Sequence, residues 1–156
     1  MAEFHLRKAH IDDVKAIHAL LLACAQQGQL LPRALIWLYS HVRNFNVLET
    51  EEGRIVACAA LAPVWEDLAE VCSLVVDTSL RRQGLGRLVV QACLDECASL
   101  HITKVFALTY QAEFFCRLGF AEVEKGVLPQ KIWADCVHCP KYPDCDETAV
   151  YLELAE

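Results

Sequence analysis

The sequence predicts an α/β domain with a mixed central sheet, and three of its features lead to this prediction. Short strand-like segments alternate along the chain with segments whose apolar residues recur at helical spacing. Three strand-like segments follow one another without a helix between residues 45 and 76, which is typical of an antiparallel run. The last of these three leads through a turn with two glycines directly into a helix.

Seven strands are predicted from apolar, β-branched and aromatic runs. They cover residues 4–8, 45–50, 54–61, 68–76, 104–108, 120–123 and 149–154. The turn signal Glu51-Glu52-Gly53 joins the second and third strands into a hairpin. A long irregular segment, residues 124–146, precedes the last strand, and connections of this length are often functional.

Two helices are predicted between the first and second strands. Asp12 or Asp13 is positioned to cap the first helix. Apolar residues then recur at helical spacing, at Val14, Ile17, Leu21 and Ala25. Gly28 ends this helix, and Pro32 suits the first turn of a second, short helix up to about residue 40.

Two further helices separate the later strands. The third helix covers residues 85–100, and Gly119 follows a fourth helix over residues 111–118. The apolar side of the third helix comprises Leu85, Val89, Cys93, Cys97 and Leu100. Together these elements predict a sheet of about seven strands flanked by about four helices.

The composition indicates one globular domain covering residues 1–156. Hydrophobic residues make up 55% of the chain and charged residues 22%, which excludes a disordered protein. No apolar run approaches the ~20 residues of a membrane span. The N-terminus also lacks a charged region followed by an apolar one. We therefore expect a cytoplasmic protein that has no membrane partner.

The distribution of charge narrows the class of ligand. The formal net charge is −7, and the chain as a whole lacks the basic footprint that nucleic-acid binding requires. Basic residues do cluster locally, at Arg81, Arg82 and Arg87. This cluster predicts a small polyanion bound at one place on an acidic protein.

The basic cluster lies in residues 75–87, where a strand runs through a turn containing Gly84 and Gly86 into a helix. A helix start offers unpaired N–H groups and the positive end of the helix dipole, so it suits a phosphate. The segment is neither a P-loop nor a Rossmann fingerprint, because Gly-Lys-Ser/Thr and a third glycine are missing. From spacing alone, a capped helix with a solvated basic turn is an equal alternative.

Two motifs resemble those of a known family. Arg81-x-x-Gly84-x-Gly86 after Val76 resembles the pyrophosphate-binding motif of the GNAT family of N-acetyltransferases. Residues 114–120, Phe-Phe-Cys-Arg-Leu-Gly-Phe, resemble the second cofactor motif of that family. The order of elements matches the family across nearly the whole chain. The resemblance implies the GNAT fold and acetyl-CoA as the acetyl donor.

The resemblance also assigns residues to acetyl-CoA. Its pyrophosphate would bind the amides of residues 83–87, and its pantetheine would pair with the open strand edge at residues 74–76. The Val76 amide would then face the thioester carbonyl as an oxyanion donor, worth ~3–4 kcal/mol. The cofactor-binding residues implied in this way are Leu74, Val75, Val76, Arg81, Arg82, Gln83, Gly84, Leu85, Gly86, Arg87 and Phe115.

Several short segments resemble the acetyltransferase domain of N-acetylglutamate synthase. They are residues 28–33, 57–61, 68–71, 108–110 and 128–129. The resemblance implies a short form without the amino-acid-kinase domain. It also implies acetylation of the amino group of L-glutamate, which is the first step of arginine biosynthesis. The C-terminal basic-serine segment of the long synthase has no clear match here.

A dicarboxylic amino acid needs cationic and N–H donors. Arg33 matches the substrate-contacting arginine of these enzymes, and Leu31 matches a main-chain contact beside it. Lys131 is a further substrate-binding candidate because of its position in the long loop. The alternative for Arg33 is a surface ion pair at the start of a helix.

Glu70 and Ser73 match active-site positions of the same enzymes. Attack on a thioester requires a neutral amine, and Glu70 would remove the proton directly or through a water. The alternatives are a solvent-facing carboxylate at Glu70 and a satisfied strand hydroxyl at Ser73. Phe115 stands where many GNAT enzymes carry a tyrosine that protonates the leaving thiolate, so the general acid is left open. Tyr110 and Thr109 lie nearby in the sequence, and Cys116 is adjacent. A thiol of pKa ~8.5 also leaves tolerably without an acid.

The chain has nine cysteines. Their odd number and their scattered positions do not fit the disulfide framework of a secreted protein. Six lie in apolar segments and are expected to be buried, namely Cys24, Cys58, Cys72, Cys93, Cys97 and Cys116. Cys136-x-x-Cys139 followed by Cys145 has the spacing of metal ligands. Metal binding, a disulfide and free thiols stay open for these three, and catalysis is expected to need no metal.

Two other functions remain as alternatives. One is a GNAT acetyltransferase for another amine, such as a protein N-terminus, a lysine or a polyamine. The other is a non-catalytic acyl-CoA-binding or redox-sensing module, which Phe115 and the loop cysteines favour. A homodimer is a family-level expectation.

Overall fold

The computed structural model describes residues 3–26, 34–124, 126, 128 and 147–154. The strands are β1 (Phe4–Lys8), β2 (Phe45–Thr50), β3 (Ile55–Trp65), β4 (Leu68–Val76), β5 (Lys104–Thr109), β6 (Ala121–Val123) and β7 (Thr148–Glu153). The α-helices are α1 (Val14–Gln26), α2 (Leu35–Ser40), α3 (Leu85–Leu100) and α4 (Ala112–Arg117). The largest difference from the predicted bounds is at β3, which continues past Leu61 to Trp65. Gly28 and Pro32 lie outside the described residues.

The seven strands form one sheet in the order β1-β2-β3-β4-β5-β7-β6. The neighbouring pairs are antiparallel, with the exception of β4 and β5, which are parallel. Parallel neighbours need a long crossover connection, and α3 provides it between β4 and β5. The predicted mixed α/β sheet is therefore confirmed.

Helices cover both faces of the sheet. The α1 side chains Val14, Ile17 and Leu21 are buried against one face, together with Leu38 of α2. The buried side chains of α3 pack on the other face, and they are Leu85, Val89, Val90, Cys93, Leu94 and Cys97. Leu100 was predicted on this side of α3 but is 52% exposed, because it lies in the last turn of the helix. No helix among the described residues is long and apolar enough to cross a membrane.

The cysteine prediction is confirmed at four of its six positions. Cys24, Cys58, Cys93 and Cys97 are buried. Cys72 is only half-buried, and Cys116 is exposed because it lies on the outer side of the short helix α4. The prediction was thus wrong for Cys116. Cys136, Cys139 and Cys145 lie outside the described residues.

A charged cluster ties the first strand to the start of α1. The guanidinium of Arg7 donates to both carboxylate oxygens of Asp13, at 2.7 and 3.0 Å, and to those of Glu49 on β2, at 3.0 and 3.2 Å. Asp13 also accepts from the backbone N–H of His10 at 2.7 Å. Through this bond Asp13 completes a capping box at the 3-10 turn Ile11–Asp13, which leads directly into α1, so the predicted capping role of Asp13 is confirmed. These donors lower the pKa of Asp13, chiefly through Arg7.

We expect Asp13→Asn to lower the free energy of unfolding by about 2 kcal/mol at pH 7, because it weakens charge-assisted hydrogen bonds in a mostly buried site. The pKa of the folded state lies below the usual value of 3.8, so the ionised carboxylate stabilises the fold above about pH 4. This contribution is lost as the pH falls through the lowered pKa. Urea unfolding at pH 7 and pH 3 measures both effects.

Glu113→Gln is the matched control for this prediction. Glu113 pairs with Arg117 at 3.5 Å on the exposed surface of α4, where an ion pair contributes less than about 0.5 kcal/mol. Equal unfolding free energies for Asp13→Asn and Glu113→Gln at pH 7 would contradict the role given to Asp13.

Candidate active site

Strands β4 and β5 separate half-way along β4. Leu68, Ala69 and Glu70 pair with the first three residues of β5. Among the described residues the pairing of β4 with β5 stops there, although β4 continues to Val76. The second half of β4 keeps its pairs with β3 on the other side. One edge of β4 is thus left open inside the sheet, as predicted for residues 74–76.

A β-bulge marks the separation. Cys58 of β3 pairs with Val75, whereas Ala60 pairs with Cys72, so β4 has one extra residue between these pairs. Ser73 adopts a left-handed conformation here, with φ of 54°. A bulge bends its strand and increases the local twist. We conclude that the bulge at Ser73 turns β4 away from β5.

The open edge presents the backbone group that the family resemblance assigns to the thioester carbonyl. The N–H of Asp77 donates to the carbonyl of Val56 on β3, at 2.8 Å. Successive N–H groups of a strand point to opposite edges. The N–H of Val76 therefore points to the open edge. The side chain of Val75 instead packs in the core under α1, so any contact that it makes with a ligand at the edge is through the backbone.

The turn between β4 and α3 has an unusual backbone. Arg82 and Gly84 have φ values of 68° and 80°, in the left-handed region that glycine adopts without strain. Gly84 is the residue before α3, and no side chain caps the helix there. The first turn of α3 contains no acidic residue, and Arg87 lies within it. These features fit an anion on the backbone N–H groups of residues 85–87.

Gly86 lies against an aromatic ring of α4. A Cβ atom at Gly86 would be 3.2 Å from Cζ of Phe114 and 3.6 Å from Cγ2 of Val76. The absence of a side chain thus lets α4, the end of β4 and the start of α3 approach closely. The sequence pointed to Phe115 instead, which is only 3% exposed and packs edge-on against Phe114 and Phe120. This position favours a packing role for Phe115 over the predicted cofactor contact.

Two of the three predicted catalytic residues, Glu70 and Ser73, lie at the point where the strands separate. Glu70 is the last residue of β4 paired to β5, and Ser73 forms the bulge. Tyr110 directly follows β5 and is half-buried. Alternation along β4 directs Ala69 and Val71 towards α3, so Glu70 lies on the opposite face, which α1 and α2 cover. The predicted substrate contacts Leu31, Arg33 and Lys131 lie outside the described residues.

A cavity of about 470 Å³ lies beside the turn that joins β4 to α3, between α1, the start of β3 and the end of β4. Ala16, Ala19 and Ala23 of α1 form one wall, and Arg54 and Arg81 lie among its polar residues. The short side chains of α1 leave this space open next to Arg81, one of the predicted cofactor contacts. Among the described residues, no three His, Cys, Asp or Glu side chains are grouped so as to hold a metal ion.

Sequence reasoning missed three residues at this site. Phe114 contacts the position of Gly86, and Asp77 and Arg54 form an ion pair at the start of the turn. Asp77 had a local signal, since Asp-x-Ser favours a side-chain hydrogen bond to the backbone two residues later. Phe114 lies in the segment that resembles the second cofactor motif, whereas Arg54 had no local signal.

Comparison with known proteins identifies the family. Residues 14–120 match the family model described as the acetyltransferase (GNAT) family. An uncharacterized N-acetyltransferase of Chlorobaculum tepidum is 37% identical over 153 residues, which are 98% of both chains. An amino-acid acetyltransferase of Mycobacterium tuberculosis is 37% identical over 121 residues, which are 76% of this chain and 69% of that protein.

A solved structure extends the similarity to the whole fold. N-acetylglutamate synthase from Neisseria gonorrhoeae, complexed with coenzyme A and N-acetyl-glutamate, superimposes with a TM-score of 0.86 at 26% identity. The match covers 100% of this chain and 36% of that one, so this chain corresponds to about a third of the synthase. The family model, the similar relatives and the separation of β4 from β5 agree with one another. We conclude that this chain belongs to the GNAT family of acetyltransferases.

Proposed function

We propose that this protein transfers the acetyl group of acetyl-CoA to the amino group of L-glutamate. The observation that carries the proposal is the open edge of β4, bounded by Glu70 and Ser73 and leading into the uncapped start of α3. A relative that is 37% identical is named an amino-acid acetyltransferase, and the similar synthase structure holds coenzyme A and N-acetyl-glutamate. These names support an amino acid as the acceptor.

The residues of the site fit acetyl-CoA in three ways. The N–H of Val76 points to the open edge, where a pantetheine amide needs partners. The start of α3 has backbone donors without a side-chain cap, which suits a pyrophosphate. Gly86 lets Phe114 and the end of β4 pack against the first turn of α3, which holds these backbone donors in place. Acetyl-CoA supplies an activated acetyl group, and the protein supplies binding, orientation and proton transfer.

In this proposal Glu70 takes the proton from the ammonium group of glutamate, directly or through a water. The amide of Val76 stabilises the negative charge that develops on the thioester oxygen. Ser73 holds the bulge that opens the edge, and Tyr110 is the candidate acid for the leaving thiolate. Arg33, Leu31 and Lys131 are proposed to bind the carboxylates of glutamate. The proposed setting is the first step of arginine biosynthesis in the cytoplasm, and a homodimer stays an expectation.

The decisive assay follows release of CoA by the pure, reduced protein, given acetyl-CoA and each amino acid in turn. We expect release that depends on glutamate. In that assay Arg33→Ala raises the KM for glutamate about tenfold or more, because a charge-assisted hydrogen bond is lost, and leaves the KM for acetyl-CoA unchanged. Release with another amine only would contradict glutamate as the acceptor. No release with any amine, despite binding of acetyl-CoA, would favour the non-catalytic module.

We expect Glu70→Gln to lower kcat about a hundredfold at pH 7, since loss of a general base costs 10²–10⁴. The deficit shrinks as the pH rises, because the amino group of the substrate then loses its proton unaided. Glu122→Gln is the control, since Glu122 is an exposed carboxylate on β6. A pH–rate profile of all three proteins tests this, and equal kcat values for Glu70→Gln and wild type would remove Glu70 from the mechanism.

We expect Gly86→Ala to raise the Kd for acetyl-CoA about tenfold, because the new methyl group forces Phe114 and the start of α3 apart. Alanine itself favours a helix, so an effect of helix propensity alone would not weaken binding. Isothermal calorimetry measures the Kd. Gly126→Ala is the control, because a Cβ atom there has no neighbour within 4 Å. Equal Kd values for both variants would contradict close approach at Gly86.

A further inference from the structure

Asp77, the residue directly after β4, forms hydrogen bonds through its carboxylate, its backbone N–H and its backbone carbonyl. Its carboxylate accepts from the backbone N–H of Ser79 at 2.9 Å and from the hydroxyl of Ser79 at 2.7 Å. The other carboxylate oxygen accepts from the guanidinium of Arg54. The backbone N–H of Asp77 donates to the carbonyl of Val56, and its carbonyl accepts from the N–H of Leu80 at 2.9 Å. The Ser79 donors and Arg54 keep the pKa of Asp77 below its usual value, so Asp77 is ionised at neutral pH.

Arg54 connects this residue to the hydrogen-bonded turn of the β2–β3 hairpin. The backbone N–H of Arg54 donates to the hydroxyl of Thr50 at 3.2 Å, and its carbonyl accepts from the N–H of Thr50 at 2.9 Å. The N–H of Gly53 donates to the carbonyl of Thr50 at 2.9 Å. The guanidinium therefore extends from the fixed end of the β2–β3 hairpin. It attaches the end of β4 to the neighbouring part of the sheet.

The segment that follows Asp77 needs such an attachment. It passes through a 3-10 turn at Thr78–Leu80 and then contains two left-handed residues, Arg82 and Gly84. A left-handed arginine costs free energy and persists only where the surroundings impose it. At the α3 end of this segment, the buried side chain of Leu85 fixes the backbone by packing in the core. At the near end, Leu80 packs against the core, and Asp77 and Arg54 hold the residues that precede it.

We propose that Arg54 and Asp77 act together as positioning residues, which hold the turn before α3 in the conformation that receives the pyrophosphate of acetyl-CoA. The inference rests on the proposed use of acetyl-CoA by this turn. Neither residue needs to touch the ligand, because both act through residues 78–84. The carboxylate of Asp77 fixes the 3-10 turn, and Arg54 fixes that carboxylate.

A direct electrostatic effect predicts a different result from positioning. If the two charges acted on the phosphates through space, the loss of Arg54 would weaken binding and the loss of the Asp77 charge would strengthen it. If they position the turn, the loss of either residue weakens binding. The sign of the effect at Asp77 therefore separates the two explanations.

The experiment measures the Kd for acetyl-CoA by calorimetry in wild type, Arg54→Gln, Asp77→Asn and the double variant. Asparagine keeps an acceptor for Ser79, so Asp77→Asn removes mainly the ion pair. We expect each single variant to raise the Kd about two- to fivefold, and the double variant no more than the weaker-binding single one. Asp77→Ala also removes the acceptor for Ser79 and raises the Kd roughly tenfold. Arg54→Lys, which keeps the positive charge, restores most of the affinity lost in Arg54→Gln.

Asp67→Asn is the matched control. Asp67 pairs with Lys104 at 3.2 Å at the opposite end of β4, and its loss leaves the Kd unchanged. A wild-type protein that does not bind acetyl-CoA would overturn the proposed function itself. Tighter binding by Asp77→Asn, or additive effects in the double variant, would overturn the positioning role while leaving the proposed function intact.

Discussion

The separation of two parallel strands is the constraint on which the rest of this structure depends. Strand β4 must leave β5 after Glu70 and still remain in the sheet. Its pairs with β3 hold it there, as do the apolar layers on both faces, to which β4 contributes Val71 on the α3 side and Val75 on the α1 side. The bulge at Ser73 absorbs the change of direction in a single residue. A sheet in which β4 and β5 paired along their full length would have no internal edge for a ligand.

The sequence predicted the elements well because their apolar patterns were regular. Strands and helices that contribute to a shared core show an apolar period of two or near 3.6 residues, and this includes α1 and α3. The errors fall where an element extends beyond the core. Leu100 continues the apolar period of α3 into its exposed last turn, and Cys116 lies in a helix of six residues with little buried surface. Nothing in the sequence marks the bulge, since serine does not favour a left-handed backbone.

The candidate site was predictable only where local chemistry determines it. Two glycines and adjacent arginines before a helix point to an anion whatever the rest of the fold is. The pair of Arg54 and Asp77 spans 23 positions and depends on the register between β3 and β4, which the sequence does not give. The contact between Phe114 and Gly86 likewise depends on how α4 meets α3. The sequence did not show which of the adjacent residues Phe114 and Phe115 would be buried in the core and which would face Gly86, because that depends on how α4 packs.

The buried cysteines have a consequence for a protein that works with a thiol product. Burial raises the pKa of Cys93 to about 12 and of Cys97 to about 11, and it raises the pKa of Cys58 still further. Exchange with a disulfide requires the thiolate form of the attacking cysteine. These three side chains are therefore neutral thiols at neutral pH. The core can carry them beside released coenzyme A, and beside its oxidised dimer, without forming mixed disulfides.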